Sequence, residues 1–225
     1  MIDIAVMVEP RLHEYLKSVI DNMLRNLNKE TPIMIFHSTI NKDFIYNNYI
    51  NELNSNKIIL SLLKQTNLTI KQYNMLLTSV DFWNKINGEH ILIFQTDSCL
   101  CRHISTFNFT DYKDYGFIGA PCKIKEMRNG GFSLRKKSIM IKIIKHHQSI
   151  YNNSIVTVNE DKFFTNIYRN ICKPVSYDLG LKFSVEQFYY NNPLGIHKAW
   201  RYLSKEKWEE LKNNLPEISL TFNLL

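Results

Sequence analysis

The sequence predicts an α/β protein with a mostly parallel central sheet and a mixed second half. Three observations carry this. Apolar runs of strand length, IDIAVMV (2–8), PIMIFH (32–37), KIILSLL (57–63) and HILIFQ (90–95), are spread over the first hundred residues. Between them lie segments whose apolar residues recur at helical spacing, and such β-α-β alternation implies parallel strands with helices on both faces. Beyond residue 100 the runs shorten and the alternation stops.

IDIAVMV is short, apolar and partly β-branched, as a buried strand should be. Glu9-Pro10 punctuates it. Proline suits a first helical turn, so a helix is expected to open there with Leu12, Leu16, Val19, Met23 and Leu27 on one face. PIMIFH is the second strand, the Asn-rich stretch 41–54 is helical or irregular, and KIILSLL is the third strand. Tyr73, Leu76, Leu77, Val80 and Trp83 form the next helix face, Gly88 ends it, and HILIFQ is a central strand. YGFIGA (115–120) and GFSLR (131–135) follow as short runs. One further helix carries Met140, Ile143, Ile144 and His147, and another Phe163, Phe164, Ile167 and Tyr168. The tail from Tyr189 has turn signals at Asn191-Asn192-Pro193 and Gly195 and ends in a Trp-rich amphipathic stretch. No repeat or linker interrupts the chain, so one domain over 1–225 is expected.

A length of 225 residues with 44% hydrophobic and 22% charged residues supports a sizeable core and excludes a disordered tail. Seven Gly and six Pro exclude collagen-like and linker classes. The formal charge of +7 favours anionic partners: nucleotides, phosphates, nucleic acid or an anionic membrane face. The Asn, Ile and Lys bias points to an A/T-rich genome, which weakens the nucleic-acid reading. KSIMIKIIKHH is basic, but its apolar residues have core spacing. Cys99 and Cys101 are two apart, Cys122 and Cys172 are isolated, and no pair has zinc spacing, so reduced thiols are expected. No signal peptide is recognisable, and no stretch approaches the roughly 18–20 apolar residues of a membrane span. The expectation is a soluble intracellular chain with no nucleic-acid partner and no membrane insertion, unless another protein or segment anchors it.

Ligands of open α/β sheets sit at the carboxyl ends of the strands. ILIFQTDS places Asp97 just past such an end, where it either binds a divalent cation holding a diphosphate or, with Ser98, caps a turn. In NGGFSLR (129–135) two glycines let the backbone pass close to a ligand and Asn129 can bond a hydroxyl. Leu134 and Arg135 are expected to open a helix whose amino end takes an anion; a tight turn is the alternative. Asn159-Glu160-Asp161 opens a helix. Its acids either serve the dipole or present a general base to the cleft. PLGIHKAW sets His197 between a turn and a bulky aromatic, as ligand or structural residue. His13, His37, His90, His103, His146 and His147 have no ligand spacing.

In this order, FQTDS, DYGFIGAP, NGGFSLR, NEDKFF, FSVE and PLGIHKAW resemble the glycosyltransferase-like domain family, and with it the wider GT-A glycosyltransferase pattern. The resemblance covers roughly residues 68–200; residues 1–67 match as a generic nucleotide-binding half. It implies a GT-A-like, Rossmann-like fold, with a nucleotide-binding half over about 1–100 and an acceptor half with C-terminal segment over about 101–225. It implies an enzyme taking a nucleotide-diphosphate sugar, UDP-linked first, metal-dependent and inverting, with retention left open. The alternative is an inactive sugar-nucleotide or glycan-binding module. By the resemblance Asp97 is the last carboxylate of an Asp-x-Asp motif and binds metal, while Gln95 departs from the first. His197 is the late metal ligand; this donor set suits manganese, with magnesium second. Gln95, Thr96, Asp97, Asn129, Gly130 and Gly131 face the donor. Asp161 holds the base position with Glu160 beside it, and Asp114 and Gly119 line the acceptor side. Lys198 and Arg201 are assigned to the diphosphate by charge alone.

Overall fold

The apolar runs of the first half form a parallel sheet because both of its faces are covered. The computed structural model describes residues 1–123, 127–152 and 154–222. In chain order β1 (Ile4–Val8), α1 (Leu16–Asn26), β2 (Ile33–His37), α2 (Lys42–Asn54), β3 (Ile58–Leu62), α3 (Ile70–Leu77), α4 (Val80–Asn84) and β4 (His90–Phe94) make the first half. Its strands lie parallel in the order β3-β2-β1-β4. Successive side chains of a strand point to opposite faces. Accordingly Ala5 and Met7 pack with Leu16, Val19, Ile20 and Met23 of α1. Ile4, Val6 and Val8 pack on the other face with Phe82, Trp83, Met140, Ile143 and Ile144.

β5 (Ser98–Leu100) leaves this sheet. β7 (Arg128–Lys136) returns to it antiparallel to β4, and β6 (Phe117–Pro121) pairs antiparallel with β7 at the edge, completing the order β3-β2-β1-β4-β7-β6. α5 (Lys137–Ile150) covers one face. α6 (Glu160–Lys162) runs into a π-helical turn, Phe163–Ile167, and then α7 (Arg169–Cys172) and α8 (Tyr177–Phe183). β8 (Ser184–Val185) and β9 (Gly195–His197) join β5 in a small sheet ordered β5-β9-β8. After a 3-10 turn at Ala199–Arg201, α9 (Lys205–Asn214) packs on α10 (Pro216–Thr221), which lies against α1 and β5. The small sheet matters for function, because the antiparallel register pairs Ser98 with His197.

Several local expectations are corrected. The helix after β1 starts at Leu16, not at Pro10, and Leu12 is exposed. Residues 9–15 are held as a loop instead. Arg11 donates from its backbone and guanidinium to the buried Glu9 carboxylate, and Asn41 Nδ2 donates to the carbonyls of Glu9 and Arg11. The stretch 41–54 is helical with a kink at Tyr49. The face from Tyr73 to Trp83 belongs to two helices. Thr69 and Gln72 form a capping box for α3, and Ser79 Oγ takes the Phe82 amide to start α4. Leu134 and Arg135 do not open a helix; β7 runs through them to Lys136. Leu134 faces one layer of the core, and Arg135 stays in the strand because a buried carboxylate awaits it on the other. The four cysteines are free, three of them buried. Among the described residues no helix is long and apolar enough to cross a membrane.

Candidate active site

The chain leaves β1 toward β2 on one side, while β4 lies against β1 on the other. Loops diverge at such a switch point and leave a crevice at the carboxyl ends of the strands. A cleft of about 670 Å³ opens there. Its walls come from the loop after β1 (Glu9, Arg11), the loop after β4 (Gln95, Thr96, Asp97), β7 (Asn129, Gly130, Gly131), the start of α6 (Asn159, Glu160, Asp161) and the segment after β9 (Lys198, Arg201).

The pairing of β5 with β9 carries Asp97 to His197: Asp97 Oδ1 lies 3.0 Å from His197 Nε2, and the Lys198 amide donates to the Asp97 carbonyl at 2.8 Å. Gln95 Oε1 lies 3.1 Å from the same Nε2. Burial works to raise the Asp97 carboxyl, but His197 and Lys198 outweigh it and hold it below the ordinary value. Burial likewise opposes the charged imidazole, yet Asp97 and Glu186 raise His197 above its ordinary range. Asp97 Oδ1 and His197 Nδ1 are buried without a hydrogen-bond partner. The ring rests directly on Gly131, where a Cβ would overlap it. Lys198 follows in left-handed backbone, φ 38° and ψ 35°, which an L side chain adopts at a steric cost.

Glu160 does not sit as expected. It is buried, and both its oxygens are taken by Arg135, Nη1 at 2.6 Å and Nη2 at 3.0 Å. Arg135 also donates to Ser133 Oγ and the Gly130 carbonyl, and its guanidinium lies 4.5 Å from the Phe117 ring centre. A Cβ on Gly130 would overlap Glu160. The two glycines thus admit a carboxylate and an imidazole close to the backbone of a strand, where a turn was expected. Both oxygens of Glu160 are thus engaged by Arg135 where it borders the cleft.

Asp161 faces the cleft and is half-buried. Burial first, and Glu160 second, raise its carboxyl to about 6, against the opposing pull of Arg135 and the Lys162 amide. Its segment is tied to β7 through Thr165, whose hydroxyl donates to the Asp161 carbonyl and accepts the Arg128 amide. Asn129 uses its side chain internally: Oδ1 accepts the Gly131 amide and Nδ2 donates to Glu186. Thr96 is buried at the cleft floor.

Asp114 and Gly119 are not brought to this cleft. Asp114 lines a separate hollow of about 320 Å³ with Lys136, Lys142 and Lys173. Gly119 is buried in β6, where a Cβ would overlap the Asn129 carbonyl, so it serves strand packing. Conversely, sequence reasoning did not single out Glu186, which is 1% exposed and has Oε1 3.3 Å from His197 Nδ1. Glu186 entered the sequence reading only as the last residue of the FSVE block, with no role of its own. Nor did it single out Tyr73 as more than an apolar-face residue. The Tyr73 hydroxyl is buried beside the cleft, and burial, with Glu160, raises its pKa.

Residues 58–197 match the model of a family described as "Protein of unknown function (DUF5672)". The chain belongs to the DUF5672 family. The DUF5672 match runs from β3 to His197 and so contains Asp97, Asp161, Glu186 and His197, whereas the Glu9–Tyr15 loop lies outside it. No curated protein matches the chain in sequence. Among solved structures, the apo form of the glycosyltransferase GlyE from Streptococcus pneumoniae TIGR4 superposes with a TM-score of 0.55 at 13% identity, over 97% of this chain and 63% of that one. A second GlyE structure gives 0.53 at 15% identity, over 100% and 61%. The mannosyltransferase PcManGT from Pyrobaculum calidifontis, in complex with GDP-Man and Mn2+, follows at 0.48 and 11%, over 72% and 50%. This DUF5672 chain therefore has a GT-A-like glycosyltransferase fold, and it spans about 60% of the length of the GlyE structures.

Proposed function

We propose that the protein is a glycosyltransferase that takes a nucleotide-diphosphate sugar, UDP-linked first, and transfers the sugar to a hydroxyl with inversion. One observation carries the reading: Asp97, His197 and Asp161, distant in sequence, line one cleft at the carboxyl edge of the sheet. A volume of about 670 Å³ suits a ligand of nucleotide-sugar size.

The residues fit a divalent cation. Asp97 Oδ1 is a buried carboxylate oxygen without a hydrogen-bond partner, 3.0 Å from His197 Nε2. Asp97 and His197 would hold a hard divalent cation such as manganese or magnesium there. Among the described residues no group of three or more His, Cys, Asp or Glu gathers for a metal. Here the third protein group nearby is the uncharged Gln95 Oε1. The cation, when bound, offsets the charge that develops on the leaving diphosphate.

The chain's own groups do the rest. Lys198 and Arg201 add positive charge on the diphosphate side of the cleft. Asn129, Gly130 and Gly131 form the wall along which the transferred sugar lies. Asp161, with its carboxyl near 6, is ionised at neutral pH yet basic enough to take the proton of the attacking hydroxyl. A second reading, an inactive sugar-nucleotide-binding module, is favoured by Gln95, which supplies no charge and already bonds His197.

The test is a panel of UDP-sugars with Mn2+, followed by melting temperature and by release of UDP. A donor at a hundredfold over its dissociation constant should stabilise the fold by about 2.7 kcal/mol. Binding with UDP release supports the enzyme, and binding without release under any acceptor selects the module. A folded protein that neither binds nor turns over any nucleotide sugar sinks both readings.

A further inference from the structure

Glu186 is a buried carboxylate that the proposed reaction does not use, and its surroundings do not look after it. Oε1 accepts from Asn129 Nδ2 at 3.1 Å and lies 3.8 Å from Lys198 Nζ, while Oε2 has no hydrogen-bond partner. Burying a carboxylate this way costs free energy unless another group exploits it. The neighbour placed to do so is His197. β8 pairs parallel with β9, Val185 beside Ile196, so the next residues, Glu186 and His197, come side by side. Oε1 then lies 3.3 Å from His197 Nδ1.

We propose that Glu186 is the positioning residue of the cation site: its carboxylate accepts the Nδ1–H of His197 and so holds the ring with Nε2 toward Asp97 and Gln95, where a metal would replace the Nε2 proton. The inference rests on the metal reading above and extends it to a residue that does not line the cleft. An imidazole that ligates a metal through Nε2 keeps its one remaining proton on Nδ1. Without a metal Nε2–H donates to Gln95 Oε1 at 3.1 Å and faces Asp97 Oδ1 at 3.0 Å, and a cation there would take the place of that proton. The ring has no room to turn away, since it rests on the backbone of Gly131. A carboxylate behind a ligating histidine fixes its tautomer and raises its basicity, and losing one typically weakens metal binding about 10–100-fold.

The experiment uses Mn2+ alone, followed by electron paramagnetic resonance, which gives both affinity and the nitrogen coupling of a bound imidazole. Wild type should show that coupling and His197→Gln should not. Glu186→Met fills the same volume without an acceptor, and Glu186→Ala repeats the loss with different packing, so one folded member suffices. Either should weaken Mn2+ about 10–100-fold and alter the coupling of the remote nitrogen. Glu186→Gln keeps a carbonyl for the Nδ1 proton and should stay within about threefold of wild type, a rescue that a purely packing role would not produce. Mn2+ affinity within about twofold of wild type in the Met or Ala variant overturns the inference, as does a Gln variant as weak as the Met variant. A wild type without imidazole coupling removes the metal reading and this inference with it.

Discussion

Gly130 and Gly131 are neighbours in β7, yet the charged clusters packed on them are built to opposite plans. Over Gly130, Arg135 and Glu160 meet through two hydrogen bonds, and the remaining guanidinium donors reach Ser133 and the Gly130 carbonyl. Over Gly131, the cluster of Asp97, His197 and Glu186 leaves Asp97 Oδ1, His197 Nδ1 and Glu186 Oε2 without hydrogen-bond partners. Both clusters are buried and both touch the same cleft. Burial and charge do not tell them apart; completeness does. A cluster whose atoms all bond one another has nothing left for a ligand, so the first holds the strand to α6 and the second is open to a guest. Asp161, next in sequence to Glu160 of the closed pair, lines the same cleft.

The comparison breaks most visibly at Asp161. Asp161→Asn should lower sugar transfer about 10²–10⁴-fold while leaving donor and Mn2+ binding near wild type, because a general base acts on the transition state and little on ground-state affinity. Steady-state transfer beside calorimetric donor binding checks it. If Glu160→Gln abolishes transfer instead in a protein that stays folded, the closed pair is not merely structural. The next effect is on stability. Arg135→Met leaves Glu160 buried without its partner and should cost about 3–5 kcal/mol in denaturant unfolding, most of which Arg135→Met combined with Glu160→Leu should recover. A cost below about 1 kcal/mol would show that the closed cluster does not hold the fold.

The open cluster should respond the other way round. Asp97→Asn removes a charged ligand and should weaken Mn2+-dependent donor binding at least about tenfold, with a melting temperature near that of wild type. An equal loss of stability and of binding would erase the distinction between the two clusters. The smallest effect concerns pH. The Asp161 carboxyl is raised to about 6 by burial and Glu160, above an ordinary value of about 3.9, so the folded chain holds this proton more tightly than the unfolded one. The stability that protonation contributes is complete below the ordinary value and is lost as pH rises through about 6. Asp161→Asn should therefore be the more stable protein at pH 8, by about 1 kcal/mol after allowance for solvent at the cleft, and the difference should vanish near pH 4. Over the same interval wild-type transfer should rise as the base ionises.

Much of the frame was legible because it rests on periodicity. Four apolar runs and the faces between them gave the parallel strands, and Asp97 stood out as a carboxylate directly after a central strand. The local chemistry of the second half was not legible in that way. Glycines usually punctuate, so NGG suggested a turn; here they sit within a strand because a carboxylate and an imidazole need the space a Cβ would fill. Arg135 suggested a helix start because an arginine within a buried strand is implausible until its partner, 25 residues later, is in view. Asp114 and Gly119 followed from their place in a block, and distance along the chain carried no information about the cleft. Glu186 stood in the FSVE block without a role because its meaning depends on the pairing of β8 with β9, two strands of two and three residues.

Lys198 is held where a glycine would sit more comfortably, with φ at 38°. Replacing it by glycine should relieve about 1 kcal/mol of backbone strain, just as Asp161→Asn relieves a buried charge and Glu186→Met a carboxylate with an unused oxygen. A campaign that selected variants for heat resistance alone would therefore collect substitutions at these positions and discard the activity along with the strain. Read in reverse, a map of stabilising substitutions over the whole chain becomes a way to find the site without knowing any substrate, since the places where the fold gains by change are the places it keeps for chemistry.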